Sequence, residues 1–579
     1  MQSFVKFFRN HLHIILPCLA CLLAFIVVAT WFPDNVWTVP IQSDDAPAHY
    51  YFIKTILDTG LSQIFALSPE GLFYPPLFHI LAAALSGGSV MTGLAAAWVV
   101  SAGLVFPIGM MLLVRYFVKS FDQRLQIVAL VATPILAVSF FAFPYLLLQA
   151  GPLLAYGFAL TILPWAMTSS LYLLDKLCLA IEKKIKVREL VRPLLLFVLS
   201  TGCLALAHPR ALITYCLTIL PFVIGWVVRL GRVYKKQVII TVSSLLLALV
   251  LGVVAFVVVA WDQYGERLLN PEAWFKLHPP TQSIFDGIIS SLTLGVFDHA
   301  WPAIVVAVAV LASLVFLVIK KHYAVTAAFV LSAAIYFATV SLSGAVANII
   351  TAPWYRDENR IIAMLVITFI PVVVLTVAEL YKVFSRSLGK KLSIIAIVVI
   401  FTTIVGVYGV ADGHRDSIHA SVNDAANVVG DQNTKILTDE KIAAFDGMDD
   451  VIGPDDIVIG DPFSGAQYLY TYTGRKVYFS IINPRTDKMP EYALVEQSFA
   501  NGDPAQISGT VCGINNSVGQ KYFIDLGDPY KTDLDLYSQF DGLRSQPTIQ
   551  KLVDAGVFEP VGEYPSGQAR PFVLYRVKC

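Results

Sequence analysis

The chain has 579 residues, 56% of them hydrophobic and only 14% charged, with a mean hydropathy of +0.68. A soluble globular chain carries about 25% charge, so the composition excludes an ordinary soluble domain and points to a protein built in a bilayer. The 41 basic and 41 acidic residues cancel, and no basic excess argues for a nucleic-acid partner.

In chain order, Lys6 and Arg9 precede an apolar run from Ile14 to Phe32. The run is long and no convincing A-x-A cleavage site follows, so it reads as a retained anchor with its basic flank inside. Pro33 to Tyr74 then lies outside. This first external loop, taken as 33–88 with its juxtamembrane helices, contains Ile41-Gln-Ser-Asp44-Asp45-Ala-Pro47-Ala-His49 at the start of an amphipathic helix. Asp45 and Pro47 also suit a helix N-cap and first turn, a reading that leaves room for chemistry as well. Tyr74-Pro75-Pro76-Leu77-Phe78-His79 follows, and the apolar run to Leu85 is too short to cross a bilayer. If it did cross, Arg115, Lys119 and Arg124 would fall on the outer side.

Gly88 to Arg115 is long enough to span. Further spans are expected near 126–145, 151–174, 193–208, 211–228, 238–260, 301–319, 323–341, 361–380 and 392–410, about eleven in all by the length rule. Alternating them puts the basic stretches Lys176–Arg192, Arg229–Lys236, Lys320–Lys321 and Lys382–Lys391 on one face, which is the positive-inside pattern. The opposite face receives His208-Pro209-Arg210, the loop from Trp261 to Trp301 with Asp262, Glu266, Arg267, His278, Asp298 and His299, and Trp354-Tyr355-Arg356-Asp357-Glu358-Asn359-Arg360. No internal repeat is obvious, which weakens a transporter built on inverted repeats.

Beyond residue 410 the composition turns polar. Strands are expected at Asp456–Asp461, Lys476–Ser480, Lys521–Leu526 and Phe572–Val577, and helices at Gly465–Tyr472 and Thr548–Ala555. Strands alternating with helices predict an α/β domain over 411–579, outside the membrane, after a membrane domain over 1–410. Of seven cysteines, Cys512 and Cys579 alone lie in this polar region, and they could form a disulfide in an oxidising compartment. Cys18 and Cys21 read as packing residues of a hydrophobic helix.

Ionisable groups at a membrane face invite a chemical reading. Transfer of a sugar from a lipid phosphate needs a carboxylate to take the acceptor's proton and cations to neutralise the leaving phosphate. Asp45 and Asp44 are the candidate catalytic acids, and His49 shares a helix face with Asp45 at a spacing of four. Arginine suits phosphate because its fork binds bidentately and keeps its charge. Arg360, Arg356 and Arg210 are therefore candidate substrate-binding residues, with His49, His79, His208 and Tyr74. Local ion pairing of Arg360 with Asp357 or Glu358 is the competing reading. No ligand cluster supports a dedicated metal site, although Asp44 could share a divalent cation with water and substrate oxygens.

An acidic motif in the first external loop, an adjoining interfacial helix, a PP-containing segment, about eleven spans and a C-terminal external domain resemble the GT-C type glycosyltransferases. More narrowly, Asp45-x-Pro47-x-His49, the YPP–H segment and WYRDENR are similar to multi-pass actinobacterial proteins of GT-C kind. The similarity covers 1–410 in layout. It implies a GT-C-like polytopic α-helical membrane protein with a C-terminal extracytoplasmic α/β domain. Its activity would be transfer of a hexosyl or pentosyl unit, as in an arabinofuranosyltransferase, from a polyprenyl-phosphate sugar to a cell-wall or other envelope glycan, lipid or protein acceptor. The implied base is Asp45, with Asp44 competing: many members have Asp-Glu where this chain has Asp-Asp. The implied location is the plasma membrane, with the N-terminus cytoplasmic. A non-catalytic envelope scaffold or sugar-binding protein, and a flippase for lipid-linked sugars, are the alternatives.

Overall fold

The computed structural model describes residues 2–43, 45–236, 280–295, 301–387, 389–410, 435–482, 489–514, 519–530, 535–567 and 569–579, with scattered residues of 239–254 and 420–429. In chain order the helices are α1 (Gln2–Trp31), α2 (Ala46–Thr59), α3 (Leu77–Leu85), α4 (Val90–Val118), α5 (Gln123–Ala137), α6 (Leu154–Ile181), α7 (Val187–Ala207), α8 (Pro209–Gly231), α9 (Ile284–Thr293), α10 (Trp301–Ile319), α11 (Tyr323–Ser341), α12 (Ala345–Thr351), α13 (Glu358–Ser387) and α14 (Lys390–Val410). Helix α15 (Asp439–Asp449), strand β1 (Ile457–Gly460), α16 (Tyr468–Thr473), β2 (Lys476–Val477), α17 (Pro490–Asn501), α18 (Pro504–Gly513), β3 (Lys521–Asp525), α19 (Gln546–Asp554), β4 (Phe558–Tyr564) and β5 (Phe572–Val577) complete it.

Among the described residues nine helices are long and apolar enough to cross a membrane, and a bent pair, Gln123–Ala137 with Phe141–Gln149, makes a tenth. The expected span 238–260 lies largely outside the described residues. The pair bends by 51°. Pro144 explains it, because proline drives the preceding residue out of the helical region, and Phe143 is extended at φ −159°, ψ 130°. Helix α3 has nine residues, too few to cross, as expected from the sequence.

The chain divides into two compact units. The first holds residues 1–31, 99–150 and 155–417. Its axis is α13, apolar on all sides and buried along nearly its whole length, whereas α1, α7 and α10 leave most of their leucine, isoleucine and valine side chains uncovered and α14 exposes Leu392, Ile395, Val398 and Val399. A helix apolar all round belongs in a protein core or in lipid, and these helices occupy both settings. Close approach is used where α4 meets α6. A Cβ on Gly109 would lie 2.6 Å from the Trp165 ring. The π-turn Ser101–Val105 breaks the regular bonding of α4, and the Trp165 indole N–H donates to the Val105 carbonyl at 2.9 Å.

The second unit holds residues 32–98, 151–154 and 418–579. Its five-stranded sheet has the order β2-β1-β3-β5-β4, with β1 parallel to β2 and β3, and β5 antiparallel to β3 and β4. The α/β character expected for the C-terminal region is therefore present. The central strands IVIG and KYFID are buried on both faces, hence their continuous rather than alternating pattern. The strand expected at Lys476–Ser480 shrinks to two residues, and edge strand β4, irregular at Pro560/Gly562, was not anticipated. Cys512 and Cys579 are disulfide-bonded and tie α18 to the chain end.

Candidate functional site

The acidic segment belongs to the second unit. Asp45 takes the N-cap position of α2, with Pro47 in the first turn, but its side chain makes no capping hydrogen bond. Asp45 is an exposed residue. The segment is held instead through Gly151, whose carbonyl accepts from the Ser43 hydroxyl at 2.7 Å and from the Asp45 amide at 3.2 Å. Asp44 lies outside the described residues.

One turn into α2, His49 is buried and stacked on His79 of α3, their ring centroids 5.2 Å apart. His49 Nδ1 meets His79 Nε2 at 2.9 Å, His49 Nε2 faces the Pro152 carbonyl at 3.2 Å, and His79 Nδ1 faces the Pro75 carbonyl at 3.3 Å. Burial pushes His49 down to about 4, against the weaker opposing pull of the Pro152 carbonyl. His79 is pushed well below its ordinary value by burial, helped by His49. The pair is therefore neutral near pH 7. Two neutral imidazoles supply two N–H groups for three contacts, so donation to Pro152 and donation to Pro75 are alternatives. Tyr74 packs edge-on to both rings and lies 4.5 Å from Phe52. The structure thus places His49 and His79 in the interior, as a brace between α2 and α3, where the sequence put them among substrate-binding residues.

The arginine-rich turn belongs to the first unit. Tyr355 and Arg356 are both left-handed, at φ +60° and +52°. Each such residue costs about 1–2 kcal/mol, and consecutive ones persist only where surroundings hold them. Here the Arg356 guanidinium does so, donating to the carbonyls of Thr339 and Leu342 and to Asn348 Oδ1. Arg356 is buried and serves as the C-terminal cap of α11; its donors go to protein oxygens. The turn in exchange presents Tyr355. The guanidinium of Arg210 lies 3.4 Å from that ring and that of Arg360 lies 5.1 Å from it. Arg360 also pairs with Asp357 at 2.9 Å, as the competing reading of the sequence anticipated.

Behind them a buried polar framework ties three helix starts together. Tyr156, near the start of α6, donates to the Arg360 carbonyl at 3.2 Å and pairs with Thr214 of α8 at 3.3 Å; Trp354 donates to Thr214 at 2.9 Å. His208 caps α8, its Nδ1 accepting from the Arg210 amide at 3.3 Å, and its ring lies edge-on to Tyr156. Helix N-termini carry partial positive charge. Three of them, together with two guanidiniums on one tyrosine, make an arrangement suited to an anion. Tyr156 and Thr214 gave no signal in the sequence, because each sits in an apolar stretch with ordinary composition. Trp354 and Tyr355 stood within the arginine motif, but the sequence assigned neither a role.

A third charged cluster lies at the carboxyl ends of β1 and β3. Asp461 is buried and pairs with Arg544 at 3.2 Å; Asp525 accepts from Gln546 at 2.8 Å and pairs with Arg570 at 3.4 Å. Burial pushes Asp461 up to about 6 and Lys441, wholly buried nearby, down to about 7. Among the described residues no group of three His, Cys, Asp or Glu side chains is placed to hold a metal ion. Asp262, Glu266, Arg267, His278, Asp298 and His299 of the 261–301 loop lie outside the described residues.

Crystal structures of the Archaeoglobus fulgidus oligosaccharyltransferase are similar to this chain at 11% identity. The apo form and the form tethered with an acceptor peptide containing the NVT sequon each give a TM-score of 0.43, covering 90% of this chain and 70% of that one. The complex with Zn and sulfate gives 0.38, covering 87% and 67%. A likeness this loose assigns no activity to the present chain. No curated protein matches the sequence. Residues 9–579 match the model of DUF6541, a family of unknown function, and the chain belongs to that family.

Proposed function

We propose that this chain is a GT-C type glycosyltransferase of the plasma membrane, moving a sugar from a polyprenyl-phosphate donor to a cell-envelope acceptor on the outer side. The observation that carries the reading is the pair of guanidiniums on Tyr355, beside three helix N-termini. Like charges brought together on one ring favour a shared anion, and a phosphate on a lipid is the anion that a membrane-embedded chain would meet. Both arginines stand at the ends of α8 and α13 opposite the basic residues Arg229 and Arg386. With the basic ends inside, they face the outer leaflet. The Cys512–Cys579 disulfide supports the same side for the C-terminal region.

In the reaction the acceptor hydroxyl oxygen forms a bond to C1 of the sugar as the bond from C1 to the phosphate oxygen breaks. Asp45 takes the hydroxyl proton, with Asp44 as the competing base, and polyprenyl phosphate leaves with the bonding pair. Arg360 and Arg210 hold that phosphate. His208 orients the start of α8, and His49, His79 and Tyr74 brace the helix that Asp45 begins.

The test is Asp45→Asn and Asp44→Asn in membranes supplied with a polyprenyl-phosphate sugar. Loss of transfer in one of them, with normal protein levels, is expected. Full activity in both removes the chemistry. Silence of both changes, together with loss of function on deleting 411–579, would favour the scaffold reading instead.

A further inference from the structure

We infer that the C-terminal α/β region positions the acidic segment, with Tyr468 as the positioning residue; the inference rests on the role proposed above for Asp45. Residues 41–43 have no regular structure of their own, so their backbone groups must be satisfied elsewhere. The peptide groups on either side of Ile41 are gripped by two wholly buried tyrosines. The Ile41 amide donates to the hydroxyl of Tyr50, on α2, at 2.9 Å, and the hydroxyl of Tyr468, on α16, donates to the Ile41 carbonyl at 2.9 Å. Next along, the Leu437 amide donates to Gln42 Oε1 at 2.7 Å. The far end of α2 is held by the same region. The Tyr470 hydroxyl donates to Asp58 Oδ2 at 3.0 Å, and its ring lies 5.3 Å from that of Tyr51.

Residues more than 390 positions away in sequence therefore fix the chain immediately before Asp44 and Asp45 and anchor the helix behind them. A general base works only within hydrogen-bond reach of its proton, and a misplacement of about 1 Å can cost on the order of a hundredfold in rate. The α/β region thus acts on the chemistry by holding the base in register, without supplying a reacting group.

The experiment is hydrogen exchange on the full-length chain carrying Tyr468→Phe, which keeps the ring and removes one donor. Gln42→Ala serves as a second variant acting on the other bond. Exchange in the peptide covering 41–50 is expected to quicken by up to about tenfold, the yield of one buried hydrogen bond, while peptides covering β1 and β3 keep their wild-type protection. Unchanged exchange at 41–50 in both variants, or an equal rise in the sheet, overturns the inference. Turnover per donor-binding site should fall while KM for the donor holds; an equal loss in KM would also overturn it. Exchange needs no substrate, so a wild-type chain that transfers no sugar counts against the proposed function and leaves the positioning result standing.

Discussion

Replacing Arg356 should damage folding, whereas replacing Arg360 should damage donor binding, although the two lie four residues apart in one charged motif. Arg356 donates to two carbonyls and one side-chain amide oxygen, and the Thr339 carbonyl belongs to the last turn of α11, whose carbonyls have no partner within the helix. Hydrogen bonds to charged groups contribute about 1.5–3 kcal/mol each, but losses within one network do not add fully. Arg356→Ala also leaves Tyr355 in a left-handed turn with its brace gone. A loss of about 3–5 kcal/mol follows, at the upper end of single-residue effects. Arg356→Lys keeps the charge but lacks the fork and should lose roughly half as much. Thermal unfolding of the purified chain followed by tryptophan fluorescence is a suitable assay, because Trp354 is buried in the same turn. Arg360→Met should melt within about 1 kcal/mol of wild type, since its ion pair with Asp357 is partly exposed. An Arg356→Ala chain that melts like wild type and only binds donor poorly would refute the division of labour.

Other expectations follow from the same geometry. Asp45→Asn should lower transfer by about a hundredfold or more with donor affinity preserved, measured as kcat against KM. Arg210→Met and Arg360→Met should each weaken donor binding, and the double variant should lose less than the sum if both grip one phosphate; strict additivity in titrations with a polyprenyl phosphate argues against a shared anion. The depressed His49 means that the folded state binds fewer protons than the unfolded state between pH 6.5 and about 4. Stability should therefore be fully present above pH 6.5 and fall as pH drops through that window, by about 3 kcal/mol from this group. His49→Gln should flatten the curve, and a melting profile with the same slope in the variant would disprove the assignment. At the carboxyl ends of β1 and β3, Arg544→Ala leaves Asp461 buried without its cation and should destabilise the α/β region by about 3–5 kcal/mol, whereas Lys441→Met should be neutral or stabilising. Urea unfolding of the full chain followed by hydrogen exchange in β1 and β3 distinguishes the two.

Local sequence alone was enough to determine the membrane character, ten of the expected spans, the short non-crossing α3 and the α/β alternation beyond residue 410, while the 51° bend within the expected span 126–145 came only with the structure. Each of the former depends on a run of neighbouring residues, since an apolar stretch of given length acts where it stands. The same holds for Asp45 at the start of α2. Tertiary structure decided what each candidate side chain does. His49 and His79 are thirty residues apart and became a buried pair only because α2 packs on α3. Arg356 and Arg360 look equivalent in WYRDENR, yet two left-handed residues turn one guanidinium inward onto α11 and leave the other beside Tyr355. Thr214 and Tyr156 carry no mark in composition or spacing, and nothing in WYRDENR tells that Trp354 reaches Thr214, because a hydrogen bond closing across about 60 or 140 residues leaves no periodic trace along the chain.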